Sequence, residues 1–259
     1  LRAAVASAQA GGKLVTMDPV REPDTIVSGA TWAASAGSAG AAIEACRGVV
    51  EGRFRNAFAA CRPPGHHATA NRAMGFCFFN SVAVAARWLQ DAGHAERILI
   101  VDWDVHHGNG TQDIFYSDPS VFVLNLHQVP HYPGTGGAEE RGEGAGEGST
   151  LNIPLEAGTP REEFLTRFRA ALDSVLGVFD PDFILVSCGF DVLAGDPLGG
   201  QRLDVEDMHT MTAQILARAE AQCSGRLVLL LEGGYDAVRT GAGAVMVLRA
   251  LAGLGPEES

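Results

Sequence analysis

Six short apolar runs constrain this chain more than any other feature. They read NAFAAC (56–61), RILIVD (97–102), SVFVLNL (120–126), TLNIP (150–154), FILVSCG (183–189) and RLVLLLEG (226–233). Each has the length of a strand, and the runs are largely unbroken, without apolar–polar alternation. A strand with one solvated face alternates, whereas a strand covered on both faces is apolar throughout. Helical patterns lie between the runs, at 30–50, 80–91, 111–116, 160–178, 204–222 and 236–252. Asn80 and Asp204 stand where N-caps belong, and Thr159 and Pro160 followed by Glu162 and Glu163 mark a helix start. Strands and helices taking turns predict an α/β fold, an open and mostly parallel sheet flanked by helices on both faces. With 259 residues, 46% of them hydrophobic, one domain spanning 1–259 with a sizeable core is expected. The stretch PGTGGAEERGEGAGEGS (133–149) breaks the rhythm and is expected to be a surface loop, too glycine-rich to pack. It lacks the G-x-x-x-x-G-K-S/T pattern and is acidic, which argues against a phosphate cradle.

Composition excludes several functions. Nineteen basic residues against 31 acidic ones give a net charge of −12 with no basic cluster, so direct nucleic-acid binding is not expected. Five scattered cysteines without a C-x-x-C pair fit reduced thiols in a cytoplasmic setting. No apolar run approaches the roughly 18 residues needed to cross a bilayer, and LRAAVASAQAGGK at the start lacks a signal-peptide core.

Ligands of open parallel sheets sit at the carboxyl ends of the strands. The segments following these strands are RPPGHHA, DWDVHHGNG, HQVPHYPG, FDVLAGDPLGG and EGGYD, a concentration of His, Asp and Tyr. Along an extended segment Asp102, Asp104 and His106 share one side, so Asp104 and His106 converge on one ion with Asp102 behind them. An Asp-x-His pair offers oxygen and nitrogen to Zn²⁺, and Asp191 is the best third ligand. Three protein ligands leave one position for water, the catalytic pattern. Dinuclear ureohydrolases on a similar sheet carry Asp-x-His-x-Asp; here the last position is Gly108, which favours one metal per chain. The tandem His66 and His67 can hold and shuttle a proton, with Asp102 orienting one ring and Asn109 the other. Tyr235, after two glycines, can donate its hydroxyl to an oxyanion.

Taken together, RPPGHHA, GFCFFN, DWDVHHGNGTQ, LHQVPHYPGTG, CGFDVLAGDPLGG and LEGGYD resemble the histone deacetylase family, including bacterial deacetylase-like amidohydrolases and acetylpolyamine deacetylases. The resemblance runs from about residue 25 to 252 and is closest to the class II branch. It implies the arginase/deacetylase fold, zinc on Asp104, His106 and Asp191, and His67 as general base and acid beside an Asp102-paired His66. It implies Tyr235 polarising the amide carbonyl, and a tunnel with Gly75 and Phe76 on one wall and Tyr132 opposite. Leu198 stands where polyamine-selective relatives can carry an acid, which favours acetyl-lysine in a peptide or protein over an acetylated polyamine or other small acylamine. A dinuclear ureohydrolase and an inactive acetyl-lysine binder are the remaining readings. The family also binds K⁺ through main-chain oxygens around Asp102, Asp104 and His106, where Asn125 replaces the usual Ser. A homo-oligomer is compatible with the resemblance, and the Ala/Gly richness suggests a bacterial source. Relatives carry an upstream segment that supplies sheet and rim; the chain opens on Leu1, and that segment is expected to be missing.

Overall fold

The structure, a computed structural model, describes residues 1–18, 20 and 22–256. Six strands form one sheet: β3 (Ala57–Ala59), β4 (Ile98–Asp102), β5 (Val121–Val129), β6 (Thr150–Glu156), β7 (Phe183–Cys188) and β8 (Leu227–Leu231). Their order is β3-β8-β7-β4-β5-β6 and every pairing is parallel, as the apolar runs predict. The helices are α1 (Arg2–Gly11), α2 (Thr31–Val50), α3 (Ser81–Asp91), α4 (Asn109–Phe115), α5 (Arg161–Leu176), α6 (Val205–Cys223) and α7 (Ala237–Leu251).

The runs do not alternate because each strand serves two cores. Leu99, Val101, Leu124, Ile184, Val186 and Leu229 face α5, α6 and α7, meeting Phe164, Phe168, Met208, Ile215 and Val247. Their neighbours Ile98, Ile100, Val123, Leu185 and Val228 face α2 and α3, meeting Ala42, Cys46, Val82, Ala86 and Leu89. Burying a side chain of this size stabilises by about 1.5–3 kcal/mol, which makes the central strands the rigid base of the molecule. Register then levels the strand ends. Asp102 lies beside Asn125 on one flank and Ser187 on the other, and Asn125 pairs in turn with Asn152. The apolar sheet thus ends in a polar row, and the loops that follow converge beyond it.

Predicted caps are in place. Asn80 Oδ1 accepts from Ala83 N–H at 3.0 Å, and Asp204 and Asp207 form a reciprocal capping box at the start of α6. α5 starts directly after Pro160 with Glu162 and Glu163 in its first turn. Elsewhere the structure differs from the expectation. α1 and an antiparallel pair, β1 (Val15–Asp18) with β2 (Glu22–Val27), precede the part read from the sequence. β2 reads EPDTIV, and its proline and acids hide the strand pattern. The glycine-rich stretch 133–149 is a surface loop as expected, but parts of it pack. Gly136, Gly142 and Gly146 are buried, and Glu140 accepts from Gln112 and from the amides of Gly136 and Gly137. A Cβ on Gly136 would stand 2.5 Å from His127 and 2.7 Å from His107, so glycine there permits close packing.

Candidate metal and catalytic site

The loop leaving β4 keeps the alternation of the strand. Trp103 and Val105 turn into the core, while Asp104 and His106 turn the other way. Asp104 Oδ1 lies 3.0 Å from His106 Nδ1, and Asp191, from the loop after β7, brings Oδ2 to 3.2 Å from the same nitrogen. The backbone fixes each carboxylate. Gly233 N–H donates to Asp104 Oδ2 at 2.8 Å, and Val105 N–H donates to Asp191 Oδ1 at 2.9 Å. Ligand atoms of Asp104, His106 and Asp191 all lie within 4.8 Å of one another, and all three residues are buried.

The electrostatics of this cluster call for a cation. Burial opposes ionisation of Asp104, yet His66 and His106 hold its carboxyl well below the usual range. Burial and the charge of Asp104 push Asp191 up to about 7. Burial disfavours the charged imidazole of His106, but the hydrogen bond to Asp104 and the nearby carboxylates of Asp104 and Asp191 raise it to about 10. A proton on His106 offsets at most one of the two carboxylate charges beside it. Asp191 Oδ2 is buried without a hydrogen-bond partner, since the 3.2 Å approach to His106 lacks hydrogen-bond geometry. An unpartnered carboxylate oxygen beside another carboxylate and an imidazole fits a divalent ion such as Zn²⁺. Gly108 leaves no room for a second acid on this loop, because a Cβ there would fall 2.1 Å from Asp102 Oδ2.

The two histidines that follow β3 lie beside this cluster, their ring centroids 4.0 Å apart. His66 Nδ1–H donates to Asp102 Oδ2 at 3.0 Å. His67 Nδ1–H donates to Asn109 Oδ1 at 2.8 Å, so the lone pair of its neutral ring is on Nε2. Burial lowers the basicity of His66, but Asp104 and Asp102 raise its pKa well above the ordinary value. His67 is held well below, by burial and by the charge of His66. Adjacent, chemically identical rings thus differ in charge at neutral pH.

Above the cluster is a cavity of about 620 Å³, lined by His67, His106, Gly75, Phe76, Tyr132, Leu198 and Tyr235 among others. The expected tunnel residues all border it. Phe76 takes a left-handed backbone conformation, φ 66°, which costs a non-glycine residue about 1–3 kcal/mol. Tyr132 meets the His67 ring edge-on at 5.0 Å, and Tyr235 meets Phe76 at 6.1 Å. Burial, then Asp104 and Asp191, push the Tyr235 phenol far above its ordinary pKa, so it keeps its proton. Asp196 fixes the backbone of Tyr235 by accepting its N–H at 2.7 Å.

Four contributors went unassigned at the sequence level. Glu232, fully buried at the end of β8, accepts from Gly65 N–H (2.7 Å), His66 N–H (3.1 Å) and the Ser187 hydroxyl (3.0 Å). Burial, opposed by His66 and assisted by Asp102, pushes its carboxyl up to about 7. An acid closing the apolar run LVLLLE was the available signal. His131 stacks on His106 at 4.7 Å and bonds the Leu198 carbonyl at 2.8 Å; Asp196 and Glu22 complete the set.

A parallel sheet with an imidazole–carboxylate cluster, a histidine pair of which one ring is charged, and a tyrosine at its carboxyl edge defines a class: α/β proteins that gather polar side chains at that edge. Comparison with known proteins narrows the class. The histone deacetylase domain family matches residues 1–251, and the chain belongs to that family. The match starts ahead of residue 25, so α1, β1 and β2 fall within it. A probable deacetylase of Archaeoglobus fulgidus is 46% identical over 199 residues, 77% of this chain and 55% of that protein. Histone deacetylase 4 of Caenorhabditis briggsae is 46% identical over 224 residues, 83% of this chain and 25% of that protein. The chain thus spans from a quarter to just over half of these relatives. The crystal structure of the HDA15 HD domain superposes with a TM-score of 0.88 at 36% identity, covering 100% of this chain and 72% of that one. Among the described residues, no helix is long and apolar enough to cross a membrane.

Proposed function

We propose that this chain is a zinc-dependent amidohydrolase that removes acetyl groups from lysine side chains of peptides or proteins. The observation that carries this reading is the buried Asp104–His106–Asp191 cluster, with Asp191 Oδ2 unpartnered, beneath a cavity lined by His67 and Tyr235. These three residues would hold one zinc ion, which when bound supplies Lewis acidity to the attacking water and to the amide carbonyl. His67 is neutral, the state in which a base starts, and its Nε2 takes the proton of the water. Asn109 fixes the tautomer that makes this possible. Tyr235 keeps its proton and donates it as a hydrogen bond to the oxyanion. The proton on His67 then passes to the leaving amine as the C–N bond breaks, giving acetate and free lysine. The charge of His66, held by Asp102, disfavours charge on His67 and so favours that transfer.

The cavity, about 620 Å³ and lined by Phe76, Tyr132 and Tyr235, has room for an acyl-lysine side chain, and the partly exposed Leu198 adds an apolar side chain to its lining in place of an acid. That supports acetyl-lysine over acetylated polyamine. The lack of room at Gly108 supports one ion over the two of a ureohydrolase. A K⁺ ion near Asp102, Asp104 and His106 belongs to the same reading. The test measures acetate release from an acetyl-lysine peptide and from acetylated polyamines by chelator-stripped protein with zinc restored. Peptide turnover that zinc restores is expected. Faster turnover of the polyamine replaces the substrate assignment, and no release from either with zinc bound refutes the enzyme.

A further inference from the structure

Glu22 belongs to β2, outside every motif that named the site, yet its side chain borders the cavity with only 7% of the residue exposed. Its Oε2 accepts from the Tyr132 hydroxyl and from Gly75 N–H, both at 3.1 Å. Its Oε1 receives the Arg72 guanidinium at 3.1 Å. Tyr132 and Gly75–Phe76 both line the channel, with Tyr132 Cε1 standing 3.0 Å from where a Cβ on Gly75 would be, so a single carboxylate oxygen holds the tyrosine against the glycine. Three residues along, Thr25 Oγ1 accepts Phe76 N–H at 3.3 Å, a second tie from the same strand to the same segment. A buried carboxylate demands such partners, and bonds to a charged acceptor are stronger than neutral ones. The burial of Glu22 and the seating of Tyr132 therefore depend on each other.

We propose that Glu22 is a positioning residue that seats Tyr132 against Gly75–Phe76 and so sets the bore of the channel these residues line, and thereby which acyl-lysine side chains the site admits. The inference rests on the deacetylase reading for its substrate, but the clamp itself is measurable without turnover. Wild type, Glu22→Ala, Glu22→Gln and Tyr132→Phe are compared on acetyl-lysine and butyryl-lysine peptides, with kcat and KM separated. Amide hydrogen exchange is followed in parallel without substrate.

Glu22→Ala is expected to raise KM for the acetyl peptide about tenfold with kcat nearly unchanged, the size of one lost charge-assisted bond. It is also expected to shift preference several-fold toward butyryl and to speed exchange of the Gly75 amide. Glu22→Gln keeps an acceptor oxygen and should recover most of the KM. Tyr132→Phe should share the change in acyl preference while Gly75 stays protected. A Glu22→Ala protein with lowered Tm but unchanged KM and acyl preference overturns the proposal, reducing Glu22 to an anchor of the hairpin. A fall in kcat at constant KM overturns it too. If Glu22→Ala does not fold, unchanged acyl preference in both remaining variants is the overturning result. If wild type cleaves neither peptide, the deacetylase reading fails by itself. The exchange rate at Gly75 then still decides the clamp, faster in Glu22→Ala supporting it and unchanged refuting it.

Discussion

Gly233 offers the sharpest test of the metal cluster, because its replacement acts on two proposed ligands at once. A Cβ there would stand 2.1 Å from Asp191 Oδ2 and 2.6 Å from Asp104 Oδ2. Non-bonded carbon and oxygen settle beyond ~3 Å, so the two carboxylates must retreat by on the order of 1 Å. Metal–ligand distances tolerate only about ±0.2 Å. The backbone of Gly233 lies outside the left-handed region, so alanine adds bulk there without backbone strain. Gly233→Ala is expected to weaken zinc binding by about 100-fold or more, which is ~2.7 kcal/mol. Competition of the stripped protein against a chromophoric chelator measures it, with Tm recorded alongside. Gly241→Ala is the control: it lies on an exposed turn of α7, and its added Cβ would meet nothing within 4 Å. That change should leave zinc affinity alone and stabilise by about 0.5–1 kcal/mol. A folded Gly233→Ala protein that binds zinc like wild type refutes the assignment of Asp104 and Asp191 as ligands.

Tyr235→Phe removes the proposed oxyanion donor and should lower kcat by about 10²–10³ with KM little changed; equal effects on both parameters count against that role. Phe168 is fully buried and meets Trp103 edge-on at 6.0 Å, so Phe168→Ala should cost about 3–5 kcal/mol in a denaturant titration; a loss under 1 kcal/mol contradicts the packing described. His127 is held at about 3 by burial and by His107, with Nε2–H given to the Gly136 carbonyl. A histidine whose folded pKa lies below its unfolded value binds fewer protons when folded, so its contribution is intact above pH ~6.5 and is lost as pH falls toward 3. Between pH 7 and 5 this amounts to about 2 kcal/mol. Chemical denaturation at both pH values should show a drop smaller by that amount in His127→Gln, and an equal drop in both proteins argues against the assignment.

Much of the architecture was legible because its signals are local. Unbroken runs such as ILIVD can only be strands covered twice, and Asp-x-His on an extended segment puts both side chains on one side whatever surrounds it. Asn80 and Asp204 cap their helices through bonds to residues within three positions. The weaker readings failed where local pattern was poor. EPDTIV carries a proline and two acids, yet it pairs with β1 and supplies a wall of the cavity. Glycine-rich 133–149 looked too flexible to pack, yet Gly136 is glycine because His107 and His127 press against it.

By itself the sequence determined the six strands of the parallel sheet, that both of their faces are covered, and that Asp104 and His106 point the same way. Periodicity and capping act over a few residues and need no partner. Tertiary structure decided what those side chains meet. Sheet order and register bring Asp191 to Val105 across 86 positions and Gly233 to Asp104 across 129. The same sheet puts a buried acid, Glu232, under the histidine pair, and the β1–β2 hairpin puts another, Glu22, against Tyr132 and Gly75. Such meetings are set by the packing of whole elements against one another, and no stretch of chain short enough to carry a pattern contains them.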